Sequence, residues 1–209
     1  MIVLMSAFLL LSAFSCGGGN KANSTSEQSE ETAVNVPQFD ADSAYLYVKN
    51  QVDFGPRVPN TKEHVACGNY LAGKLEAFGA KVTNQYADLI AYDGTLLKAR
   101  NIIGSYKPES KKRIALFAHW DTRPWADNDA DEKNHHTPIL GANDGASGVG
   151  ALLEIARLVN LQQPELGIDI IFLDAEDYGT PQFYEGKHKE EAWCCLLYTS
   201  PSPRDGATS

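Results

Sequence analysis

The sequence predicts an α/β fold built on a central mixed, mainly parallel sheet with helices on both faces. Three observations carry that expectation. "RIALFAH" (113–119) and "GIDIIFLD" (167–174) are short, continuous apolar runs, the pattern of strands buried on both faces. "GVGALLEIARLV" (148–159), between them, sets Val149, Leu152, Leu153, Ala156 and Val159 at helical offsets. Strand, long loop, helix and strand in that order make a βαβ crossover, which leaves the two strands parallel.

The elements upstream follow from the same periodicities. "DADSAYLYVKNQVDF" (40–54) offers Asp40 and Asp42 as N-caps before Ala44, Tyr47, Val48 and Gln51, so a first helix is expected there. "FGPRVPNT" breaks it. "KEHVACGNYLAGKLEAFG" (62–79) is read as a second helix with Val65, Tyr70, Leu71, Leu75 and Phe78 on one stripe, stopping at Gly79. "AKVTNQYADLIA" and "KARNIIGSY" read as strands joined by a turn at Asp93-Gly94.

The 209 residues allow one sizeable domain, and 43% hydrophobic with 22% charged residues is the composition of a globular chain. A formal charge of -9 and a pI near 5.0 argue against a nucleic-acid partner. Lys111-Lys112-Arg113, the densest basic run, reads as a solvated turn before a strand. Residues 1–15 are an apolar run too short to span a bilayer and read as an export signal. Ser15 before Cys16 resembles a relaxed lipobox, although Phe14 is bulky and no Lys or Arg precedes the run. Residues 16–38, rich in Gly, Ser and Glu, read as a flexible tether. The expectation is therefore a lipid anchor on Cys16. Cys67, Cys194 and Cys195 form neither a spaced metal motif nor a disulfide framework. The stretch 195–209, "CLLYTSPSPRDGATS", breaks with the pattern before it, and its back-translation fits a transposase sequencing adapter read in frame. It is read as a non-native tail, with residues 39–194 as the N-terminal part of the domain.

Chemistry concentrates where the two apolar strands end. "LDAEDYG" (173–179) crowds Asp174, Glu176 and Asp177 into four positions, an arrangement that costs stability unless water, a cation or a division of labour relieves it. "AHWDTRPW" (118–125) ends the other strand with His119 and Asp121, and "GANDGASGVG" (141–150) puts Asp144 at the start of the crossover helix. Singly, each has a plain reading: Asp144 as a turn or helix cap, His119 and Asp121 as a core histidine and its partner, the three acids as a solvated loop. Together they are sent to one sheet edge, where α/β folds collect ligands. Oxygen ligands with imidazole can hold zinc, and adjacent Glu176 and Asp177 allow one carboxylate to bind metal while the other moves protons.

"FAHWDTRPWAD", "GANDGASGVG" and "LDAEDYG", with "FGPRVPNTKEH" earlier, resemble the zinc-dependent exopeptidase family M28, and more closely its bacterial glutaminyl-peptide cyclotransferases. The resemblance covers roughly residues 40–194. It implies a zinc-exopeptidase-like fold, zinc as cofactor, Asp144 and Asp177 as metal ligands and Glu176 as the general acid/base. The family's remaining zinc histidine has no match here: His188 follows the strand too soon, and His135-His136 sits in a hydrophilic loop. The implied reaction closes an N-terminal glutamine of a peptide to pyroglutamate with release of ammonia. The main alternative is an M28 aminopeptidase with two zinc ions, one held by His119. A second is a non-catalytic lipoprotein on a peptidase fold, against which the joint presence of Asp144, Glu176 and Asp177 speaks. The expected setting is the periplasmic side of a Gram-negative envelope.

Overall fold

The structure is a computed structural model describing residues 35–186. The export signal, Cys16, most of the tether and the C-terminal tail lie outside those residues.

Helix α1 (Ala41–Val52) starts where Asp40 accepts hydrogen bonds from the Asp42 and Ser43 amides, and it buries Tyr47 and Gln51. Helix α2 (Lys62–Ala77) is capped by Thr61 and buries His64, Cys67, Gly68, Leu71, Ala72 and Leu75. The expected stripe is therefore displaced by one residue at its start. Val65 is 55% exposed, and polar His64 takes the inward position. Strands β1 (Lys81–Ile90) and β2 (Leu96–Tyr106) form the predicted hairpin, with Asp93 accepting from the Thr95 amide and Gly94 at φ +88. Strand β3 (Arg113–His119), helix α3 (Ala146–Leu161) and strand β4 (Gly167–Leu173) complete the crossover. All five positions predicted for the buried face of α3 are buried.

The sheet order is β1-β2-β4-β3. β3 and β4 are parallel, as the crossover requires, whereas β1/β2 and β2/β4 are antiparallel. The α/β class with a mixed sheet stands, but among the described strands the parallel share is one pairing in three. A short turn between β1 and β2 can only bring the chain back antiparallel.

Ile102 and Tyr106 of β2 and Ile168, Ile170 and Phe172 of β4 meet Leu71, Leu75, Val149, Leu153 and Ala156 in one core. α2 and α3 thus cover the same face, and α1 packs on α3, where a Cβ at Gly150 would stand 2.9 Å from the Ala44 carbonyl. The second layer of helices expected on the other face is absent among the described residues. There Phe117 is 51% exposed, beside partly buried Ile171, its partner in register, and Ile103. β3, expected in the sheet centre, is the terminal strand of the described sheet, and Ile114 and Phe117 are exposed accordingly. No helix among the described residues is long and apolar enough to cross a membrane.

Candidate active site

Parallel register sets His119 opposite Leu173, and the Trp120 amide donates to the Leu173 carbonyl at 3.0 Å, so the chains leaving β3 and β4 emerge side by side. The three acids after β4 then part company. Asp174, fully buried, turns inward: His64 Nε2 lies 2.9 and 2.8 Å from its two oxygens, and the Arg100 and Ala175 amides donate to it at 2.6 and 2.8 Å. The Asp174 amide in turn donates to Asn101 at 2.9 Å. Burial pushes the Asp174 carboxyl up, and His64 and the Arg100 amide pull against it. His64 stacks on Trp120 with ring centroids 4.2 Å apart, and the Trp120 indole N–H donates to the Arg100 carbonyl at 3.2 Å.

Ala175 follows with φ +59, a left-handed conformation that a side-chain-bearing residue rarely adopts. Past this reversal the Glu176 and Asp177 amides donate to the two oxygens of Asp121, at 3.2 and 3.0 Å. Asp121 is itself fully buried, so it acts as an anchor for the acidic turn.

The outer face of this turn meets His119 and Asp144. His119 Nε2 lies 2.8 Å from Asp144, and its Nδ1 lies 3.4 Å from Asp121 and 3.8 Å from Glu176 without an aligned hydrogen bond. Burial pulls the imidazole down, but the nearby charges of Asp121 and Glu176 and the bond to Asp144 outweigh it and raise His119 to about 9. Glu176 stays 43% exposed, whereas Asp177 is 14% exposed and its Oδ2 is buried with no hydrogen-bond partner. Burial first, then the charges of Asp121 and Asp144, push the Asp177 carboxyl up to about 7. Arg123 grips Asp127 through two bonds of 2.7 and 2.6 Å and donates to the Asp177 carbonyl at 3.3 Å.

Asp144 is no helix cap. The N-cap of α3 is Gly145, with no side-chain cap bond, and the Asp144 side chain is 67% exposed. Gly145 has φ +90, and a Cβ there would stand 2.8 Å from the Asp121 carbonyl and 3.3 Å from His119. Only glycine lets α3 begin this close to the segment His119–Asp121.

Asp144, Glu176, Asp177, His119 and Asp121, all singled out from sequence, are thus brought together. His135 and His136 are not: one meets the Asp129 carbonyl, the other packs on Phe183. Among the described residues no three His, Cys, Asp or Glu side chains form a ready metal cage. The bare Oδ2 of Asp177, crowded by like charge, nevertheless fits a cation. Sequence reasoning missed the His64–Asp174 pair, the Arg123–Asp127 fork and the buried Arg57. Arg57 and His64 both lie in "FGPRVPNTKEH", where neither residue type by itself signals a role.

Residues 101–192 match the peptidase family M28. Three solved structures cover 81% of the chain each: a glutaminyl cyclase from Bacteroides thetaiotaomicron bound to N-acetylhistamine (95% identity, TM-score 0.78), a leucine aminopeptidase precursor from the same organism (95%, 0.79) and a Zn-dependent exopeptidase from Parabacteroides distasonis (59%, 0.78). The chain is thus similar to peptidase family M28 over residues 101–192 and to a glutaminyl cyclase over 81% of its length. It spans 58%, 59% and 59% of those three chains.

Proposed function

We propose that the whole protein is a zinc-dependent glutaminyl-peptide cyclotransferase acting on peptides with an N-terminal glutamine. The observation that carries this reading is the division among the three acids after β4. Asp174 is sealed against His64, Asp177 is buried with a bare oxygen beside Asp144, and Glu176 is half exposed within reach of His119. That division supports Asp144 and Asp177 as two zinc ligands and Glu176 as the residue that moves protons. The third ligand is not assigned among these residues. The likeness at 95% identity to a glutaminyl cyclase supports the substrate class.

Zinc, when bound, would supply a Lewis acid to polarise the γ-carboxamide carbonyl of the substrate. Glu176 takes a proton from the α-amine as the amine nitrogen bonds to the carboxamide carbonyl carbon, and returns one to the amide nitrogen as the bond between that carbon and the amide nitrogen breaks. Ammonia leaves and the five-membered lactam remains, with no water consumed. Asp121 holds the Glu176 backbone, so the carboxylate is placed before substrate arrives. Trp125, which stacks edge-on with Tyr92 and Tyr178 beside Arg123, gives the site an aromatic wall suited to keeping water out.

The second reading is an aminopeptidase with two zinc ions, favoured by the likeness to the leucine aminopeptidase precursor. It would require His119 to exchange Asp144 for a metal. Zinc stoichiometry and product separate the two: one zinc and ammonia from a Gln-peptide, or two zincs and free amino acids. The proposal extends to a lipid anchor on Cys16 and a periplasmic location. Cys16→Ser should move the full-length protein into the soluble fraction, and unchanged partitioning would refute the anchor.

A further inference from the structure

Arg57 is fully buried, and its four hydrogen bonds all go to backbone carbonyls. Burial lowers its pKa, while Cys67 and then Asp121 pull it back up. A buried cation whose direct partners are all carbonyls is costly to keep, so its placement calls for a reason. The bonds supply one. Nε donates to the Trp120 carbonyl at 3.3 Å, between His119 and Asp121 in the chain. Nη1 and Nη2 donate to the Leu140 and Gly141 carbonyls at 2.6 and 2.8 Å, on the loop that leads into Asp144. The Arg57 carbonyl also accepts from the Thr122 amide at 3.3 Å.

We propose that Arg57 is a positioning residue for the metal site: its planar fork docks the loop carrying Asp144 onto the loop carrying His119 and Asp121. The proposal rests on the zinc reading given above. The junction has no slack. Gly141 has φ +55, and a Cβ there would meet the Asp144 carbonyl at 2.7 Å, Arg57 Nη2 at 3.0 Å and the Thr122 methyl. Beyond this clamp, the exposed Asp144 side chain is held by its 2.8 Å bond to His119. Losing the fork therefore frees Asp144 to drift from Asp177. Lysine keeps the charge but presents one nitrogen, which cannot serve carbonyls on both loops in the guanidinium's geometry.

The test uses the full-length zinc enzyme, with R57K compared against V159A, a core truncation near the far end of α3. Zinc affinity is read by chelator competition, stability by thermal melting, and kcat and KM with a Gln-peptide. R57K should weaken zinc binding by about 10- to 100-fold, the range for residues that orient ligands. Its kcat should fall with KM nearly unchanged, while V159A loses melting temperature and keeps zinc affinity. Free guanidinium should partly restore zinc binding in R57A. Wild-type zinc affinity in R57K, or an equal loss in V159A, would overturn the proposal. Should the wild-type enzyme bind zinc but release no ammonia, the cyclase reading fails while the R57K affinity loss still supports the clamp.

Discussion

Two histidine–carboxylate arrangements flank the end of β4, and they differ in how completely they are satisfied. His64 and Asp174 are 3% and 0% exposed, and each Asp174 oxygen is hydrogen-bonded. His119 faces Asp144, Asp121 and Glu176, leaves Nδ1 without an aligned partner, and adjoins Asp177 with a bare buried oxygen. A closed network stabilises the fold, since opening it leaves a buried charge behind. An open one costs stability and keeps capacity for a ligand. The lesson is that residue type did not separate framework from chemistry at this edge, whereas completeness of hydrogen bonding does.

Four experiments break or sharpen this contrast. The largest effect is expected at the open cluster. Glu176→Gln should lower kcat by about 10³-fold, near 4 kcal/mol in the barrier, with melting temperature and zinc content unchanged. A stability loss as large as the activity loss would make Glu176 part of the framework. At the closed pair, His64→Ala should reduce unfolding free energy by about 3 kcal/mol in urea titration. A loss under about 0.5 kcal/mol, typical of surface substitutions, would erase the distinction.

Smaller, and of opposite sign, is Asp177→Asn. By removing one charge from a crowded group it should stabilise the metal-free protein by roughly 1 kcal/mol, the scale of a close pair in water, while weakening zinc binding. Destabilisation of the metal-free form would show that the Asp177 carboxylate is satisfied after all.

The smallest effect belongs to Asp169, at the opposite end of β4. Arg113 holds its carboxyl below the usual range through bonds of 2.8 and 2.6 Å, and Ser105 assists. A carboxylate depressed in the folded state contributes stability above its unfolded pKa of about 3.9 and loses it as pH falls through the lower folded value. Asp169→Asn should therefore flatten the stability profile below about pH 4 and leave the neutral range unchanged in slope. An unaltered acid limb would remove this ion pair from the account.

The fold was legible where local pattern and tertiary demand agree. α3 is apolar on the face that the sheet covers, and Asp40 caps α1 through its own neighbours, so both were readable from a few residues. The face of α2 was misjudged because His64 is polar, and its reason for facing inward is Asp174, 110 residues away. β3 reads as buried on both faces, yet Ile114 and Phe117 are exposed among the described residues, because composition does not say what covers a strand. At the site, the crowding of Asp174, Glu176 and Asp177 signalled chemistry, but the separation of Asp174 from the other two depends on Ala175 at φ +59, a position where glycine would have been the readable signal. Arg57 stayed hidden for a similar reason, since its partners are carbonyls, which every residue has.

The stacking of His64 on Trp120 has an optical consequence. Trp120 is fully buried, so it emits at short wavelength, and an imidazole 4.2 Å from its ring is placed to quench that emission by electron transfer, most strongly when protonated. Trp125, partly exposed in the aromatic wall, emits further to the red. The closed pair and the mouth of the site therefore carry separate intrinsic fluorophores, and light absorbed without any added dye reports from both.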